Sequence, residues 1–121
     1  YQFAGQYRGI VVGTGNKVED YGVGFYTKYG DGGVDIAPIA DLYKSEVWDL
    51  GKSLGVDSRI IEAKPTDGLW DDGRTDEDQL GATYSELEEA METGKGTGLK
   101  VLEEYARMNA HKMNPIPTFT L

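Results

Sequence analysis

Apolar positions along this chain alternate between short continuous runs and longer stretches of helical spacing, a layout that predicts mixed α/β structure. Tyr1, Phe3, Ala4 and Tyr7 share one helical face, like the tail of an element that begins upstream. Residues 10–12 form a β-branched run between Gly9 and Gly13, suited to a buried strand of a parallel sheet. A glycine turn follows, and Asn16 is placed to cap a short, glycine-weakened helix over residues 18–25. Gly30, Gly32 and Gly33 around Asp31 disfavour both regular states and mark a loop, after which residues 34–39 make a second apolar run.

Farther on, Leu42, Val47, Leu50 and Leu54 predict an amphipathic helix over 41–54, with Gly55 at its left-handed cap. Asp57 or Ser58 caps a brief helix containing Ile60 and Ile61, and Pro65 lies beyond its end. Residues 64–78 hold six acids and only Leu69 and Trp70 as bulky apolar groups, which predicts a long loop. Ser85 with Glu88 has capping-box spacing for a helix to Met91. GKGTG interrupts the pattern before a last helix over 99–111, in which Leu102, Tyr105, Ala106 and Asn109 line one side. No internal repeat is present, so a single domain of 121 residues is expected.

Charge narrows the partners. With 21 acids against 12 bases the net charge is -9, which argues against a diffuse nucleic-acid footprint; any phosphate must be held by a few placed groups. The absence of cysteine removes disulfides, thiolate metal sites and glutamine hydrolysis by a thiol within this chain. No apolar run reaches the ~18 residues of a membrane span, and the amino end lacks a signal-peptide layout, so a cytoplasmic protein without membrane contact is expected.

VVGTGNKVED reads as a strand, a glycine turn and a helix bearing an acid, yet it matches neither a Walker loop nor a dinucleotide fingerprint. Thr14 offers a hydroxyl to a phosphate, and Glu19 the hard oxygen that Mg²⁺ prefers beside phosphates. An ordinary strand-to-helix turn fits the same residues. Lys28, Asp31 and Asp35 are a mixed-charge set on one glycine-rich loop, suited to a polar ligand or simply to solvent. Lys44 opens its helix against the dipole, which hints at a use at the strand ends. Thr66 is a hydroxyl on a long loop with Trp70 as its apolar anchor, and His111 with Lys112 ends the last helix, where positive charge is favoured.

In order along the chain, GTGNKVED, GFYTKYGDGGVDIAPIADLYKSEV, KPTDGLW, RTDEDQLGATYSELEEAM and HKMNPIP resemble the carboxy-terminal half of ammonia-dependent NAD synthetase, over residues 9–117. The resemblance implies an ATP-pyrophosphatase with a partial parallel sheet flanked by helices, of the Rossmann-like adenine nucleotide alpha-hydrolase type, and a homodimer. It implies amidation of deamido-NAD by ammonia, with ATP as co-substrate and Mg²⁺ as cofactor, through an adenylated carboxylate. By the same resemblance Thr14, Lys44 and Thr66 are ATP contacts, Glu19 is a Mg²⁺ ligand, Lys28, Asp35, His111 and Lys112 contact deamido-NAD, and Asp31 lies near ammonia.

One departure qualifies the match. The family's Ser-Gly-Gly-x-Asp-Ser phosphate loop is absent from these residues, so residues 1–121 are expected to be the carboxy-terminal part of one synthetase domain, inactive alone. A non-catalytic dinucleotide-binding remnant, a related ATP-pyrophosphatase acting on another substrate and a glutamine-dependent relative remain open alternatives.

Overall fold

Helices account for nearly all the regular structure in the computed structural model, which describes residues 1–121. They are α1 (Gln2–Tyr7), a π-helix (Lys17–Val23), α2 (Lys44–Ser53), α3 (Ser58–Ile61), α4 (Asp76–Leu80), α5 (Tyr84–Thr93) and α6 (Leu99–Met113).

The two apolar runs do meet in parallel, but as a single bridge between Val12 and Ile36. Gly13 N–H donates to Ile36 O at 2.7 Å and Asp35 N–H to Val11 O at 2.9 Å. The expected parallel sheet is thus reduced to one pairing. Parallel strands need cover on both faces, and here Val12 and Ile36 remain about half exposed.

Asn16 caps the next element as its residue type predicts, its Oδ1 accepting from the N–H groups of Val18 and Glu19. The helix expected over 18–25 is a wider coil with five-residue spacing, a rare form frequent at functional sites. That spacing turns Val18 and Val23, five apart, to the same interior, where both are fully buried. Gly24 ends the coil at φ +67°, and a Cβ there would stand 2.6 Å from Asn109 Cβ. Only glycine fits both demands.

Val18, Val23, Leu80, Ala82, Tyr84 and Leu87 form the core, with Met91, Leu102 and Tyr105 packed against it. The core therefore lies where the π-helix, α5 and α6 meet. Just 13 of 121 residues are buried, and Phe3, Tyr7, Ile10, Leu54 and Ile60 are exposed.

Several boundaries differ from the sequence pattern for identifiable reasons. The box capping α5 is Thr83 with Glu86 rather than Ser85 with Glu88, the same spacing two residues earlier, and the helix runs on to Thr93. Glu88 is engaged elsewhere, accepting from Ser45 N–H and Ser45 Oγ to hold the first turn of α2. That helix begins at Lys44, three residues after Asp41, because Tyr43 is its N-cap and Glu46 accepts from Tyr43 N–H. The acidic stretch is not all loop: Thr75 and Asp78 form a capping box that starts α4. α6 continues two residues past His111, stopping at Asn114 before Pro115.

Candidate functional site

Glu19 and Lys44 meet where the π-helix and α2 begin side by side. Lys17 N–H donates to Leu42 O at 2.8 Å, lacing the two starts together, and Lys17 Nζ lies 3.1 Å from Asp41. Lys44 Nζ then reaches Glu19 Oε1 at 2.7 Å, with each side chain only 17% exposed. The first-turn lysine that opposes its own helix dipole is stabilised by this carboxylate instead.

Tyr84, the first residue of α5, completes the group. Its ring is buried, edge-on to Trp48, and Lys44 Nζ lies 5.1 Å from the ring centroid. Its hydroxyl is within hydrogen-bonding distance of Glu19 Oε1 and, at 3.0 Å, of Asp76 Oδ2. Burial, and then the charge of Glu19, pushes the phenol well above its ordinary range, so it stays a donor. Burial likewise raises the carboxyl of Asp76, partly offset by the Tyr84 hydrogen bond. Asp76 Oδ1 is buried and has no hydrogen-bond partner.

Beside this group, Asp20 lines a small cavity of about 60 Å³ with Gly13, Gly15, Tyr26 and Asp31. Burial, followed by the charges of Glu19 and Asp31, raises its carboxyl to about 6. A Cβ on Gly15 would overlap the Asp20 carboxylate, so a larger residue there would displace that side chain from the cavity.

A second cluster forms at the carboxyl end of α6. Lys28 Nζ donates to His111 O at 2.6 Å and to Asn114 O at 3.2 Å. Lys112 Nζ donates to Gly24 O at 2.7 Å and lies 5.3 Å from the Tyr26 ring centroid. A cleft of about 610 Å³ runs from Lys112 and Asp31 to Asp67 and Trp70. The 64–78 segment is thereby brought to the helix end that carries His111.

Thr14, Asp35 and Thr66 stand apart from these clusters, whereas Asp31 lines both the small cavity and the cleft. Thr14 is exposed on its turn. Asp35 is held at the bridge, accepting from Val11 N–H at 2.7 Å and from Tyr1 OH at 3.1 Å. Asp31 accepts from Thr27 N–H, which shapes its own loop. Thr66 Oγ1 donates to Arg74 O at 3.1 Å and accepts from Gly68 N–H, so its hydroxyl is used within the loop.

Asp76 and Tyr84 are the additions that the sequence pattern did not single out. Asp76 is hidden among the six acids of the expected loop, and Tyr84 lies just ahead of the helix start expected at Ser85. The Thr75-x-x-Asp78 spacing was the available signal: it starts a helix and turns its first residue inward.

Residues 1–117 match the family described as NAD synthase. The chain belongs to the NAD synthase family. Among its relatives, the NH(3)-dependent NAD(+) synthetase of Methanococcoides burtonii is 51% identical over 92 residues, 76% of this chain and 34% of that protein. The enzyme of the same name from Archaeoglobus fulgidus is 47% identical over 116 residues, 96% of this chain and 43% of that protein. Of solved structures, the NMN synthetase from Francisella tularensis superposes with a TM-score of 0.87 at 40% identity, over 100% of this chain and 51% of the other. The NH3-dependent NAD synthetase from Campylobacter jejuni, solved with a nitrate ion, gives 0.69 at 28% identity, over 99% and 49%. This family member therefore spans about half the length of those structures and less of several relatives. Its likeness to NAD and NMN synthetases is consistent with a Rossmann-like nucleotide-binding fold. No helix is long and apolar enough to cross a membrane.

Proposed function

We propose that this chain is the carboxy-terminal part of an enzyme that joins ammonia to the nicotinate carboxylate of deamido-NAD, using ATP and giving NAD. Support comes from the family match over residues 1–117 and from relatives named NH(3)-dependent NAD(+) synthetase. The bridge between Val12 and Ile36 would then be part of a parallel sheet completed by an amino-terminal half, and the exposed apolar surfaces would be covered by that half and by a second subunit.

The chemistry has two steps. A carboxylate resists attack by ammonia, so one of its oxygens first attacks the α-phosphorus of ATP, breaking the bond to the β-phosphate oxygen and releasing pyrophosphate. The nitrogen lone pair of ammonia then attacks the activated carbonyl carbon, AMP leaves, and the nitrogen loses a proton to form the amide. Water must be kept out while the mixed anhydride exists.

In this reading Lys44, Thr14 and Thr66 bind ATP, and Lys28, Asp35, His111 and Lys112 bind the dinucleotide. Asp31, which lines the small cavity, lies near ammonia. The donor set around Glu19 fits a Mg²⁺ ion in part: a sheltered carboxylate, with Asp76 bonded to the same tyrosine through Oδ2 and its Oδ1 unpartnered. Glu19 would hold that ion, whose chemistry is to neutralise phosphate charge during adenylation. Lys44 orients Glu19 and brings a positive charge to the same place.

The Glu19–Lys44 pair carries the reading, since it puts one carboxylate and one ammonium beyond the turn, where a nucleotide would lie. Its test is Glu19→Gln in the chain joined to its amino-terminal half. The account expects the rate of NAD formation to fall by about a hundredfold or more, as for loss of a transition-state electrostatic partner. Unchanged rate and Mg²⁺ dependence would refute it.

The similarity to an NMN synthetase at a TM-score of 0.87 favours a second acceptor, nicotinate mononucleotide, which bears the same carboxylate on half the dinucleotide. Comparing kcat/KM for the two acceptors decides between them.

A further inference from the structure

A hydroxyl has one proton, and the Tyr84 hydroxyl lies within reach of two carboxylates. It donates to Glu19 or to Asp76, never to both at once. Asp76 has nothing else to hold: its Oδ2 bonds only to Tyr84, and its Oδ1, buried in a residue 6% exposed, has no partner. The side chain of Asp76 is therefore tethered to the rest of the protein through Tyr84 alone.

Its backbone does something different. Asp76 N–H donates to Pro65 O at 3.0 Å, and one step inside, Thr66 Oγ1 donates to Arg74 O at 3.1 Å. These two bonds close the neck of the loop that displays Thr66, Trp70 and Arg74. Thus a single phenol spans from Glu19 to the residue that shuts this loop.

We propose that Tyr84 is a positioning residue that couples the carboxylate of Glu19 to the base of the 66–75 loop through Asp76. The coupling follows from the proton count. When a cation draws Glu19 away, the hydroxyl turns to Asp76, fixes its side chain and thereby holds the Asp76 to Pro65 closure. When Glu19 is paired only with Lys44, the hydroxyl is shared and the loop base is held less firmly. The loop would then be set for nucleotide only once the metal carboxylate is occupied. This rests on the proposed role of Glu19 as a cation ligand.

The test uses the full-length protein and Mg²⁺ alone, and reads trypsin cleavage after Arg74 rather than turnover. In the wild type, Mg²⁺ is expected to slow that cleavage by about tenfold, within the usual range of coupling between sites. In Tyr84→Phe, which keeps the buried ring, protection should fall below about twofold; Asp76→Asn should lose it similarly and serves if the first variant does not fold. Equal protection in the wild type and the variants, or no protection in the wild type, overturns the coupling. A purely structural tyrosine would lower Tm while leaving the Mg²⁺ ratio intact. Should the wild type make no NAD yet show protection that the variants lose, the coupling stands and only the functional reading fails.

Discussion

Lys44 Nζ sits 2.7 Å from Glu19 Oε1, and the two groups reach each other from the first turns of different helices. Because both are largely sheltered, removing one leaves the other charged and poorly solvated. Lys44→Met should lower stability by about 2 kcal/mol, the scale of a lost charged hydrogen bond. Chemical denaturation of the variant against the wild type measures this; an unchanged midpoint would show that Glu19 finds compensation elsewhere.

Gly24 carries two independent constraints, a left-handed φ of +67° and a close approach to Asn109. Asn109 itself donates from Nδ2 to Val23 O at 2.8 Å, so α6 cannot move off without losing that bond. Gly24→Ala is expected to cost about 2 kcal/mol, the sum of backbone strain and overpacking. Thermal unfolding would show it as a fall in Tm, and Asn109→Ala, which keeps the clashing Cβ and loses the bond to Val23 O, should not rescue it.

Glu86 accepts from Thr83 N–H, the Thr97 hydroxyl and the Thr83 hydroxyl, and these bonds, in that order, hold its carboxyl below the usual value. A depressed carboxyl stabilises the fold above its unfolded pKa, and the contribution is lost as pH falls through the lower folded value. Glu86→Gln should therefore have a lower Tm than the wild type at pH 7, with the gap narrowing below pH about 4 and closing once pH is under the depressed folded value, where both side chains are neutral. A gap independent of pH would place the effect in packing instead of the ionised cap.

The helical spacing made α2, α5 and α6 legible, and Asn16, Asp57 and Gly55 declared their caps by residue type. What the pattern could not reveal depends on contacts distant in the chain. Ser85 and Glu88 satisfy a capping rule, but Glu88 is committed to Ser45, 43 residues away, and the rule is met by Thr83 instead. The π-helix has no signature of its own in KVEDYGV; it follows from burying Val18 and Val23 together beside α6. Glu19 and Lys44 were visible as candidates, whereas Asp76 was masked by five neighbouring acids that do face solvent or cap helices.

Lys28 ties the loop after the π-helix to the end of α6 by donating to two carbonyls. In the joined enzyme Lys28→Ala should raise KM for the dinucleotide by about tenfold, equivalent to one charged hydrogen bond, with a smaller change in kcat. Steady-state kinetics with varied deamido-NAD checks this; a loss confined to kcat would move Lys28 out of substrate binding.

The most direct measurement supplies the chain, joined to its amino-terminal half, with deamido-NAD, ATP, Mg²⁺ and ¹⁵N-ammonium, and follows the nicotinamide nitrogen by mass spectrometry. The account predicts ¹⁵N in the carboxamide of NAD with one AMP released per NAD, and no product from residues 1–121 alone. Product from the isolated chain, or AMP released without labelled amide from either deamido-NAD or nicotinate mononucleotide, would contradict it.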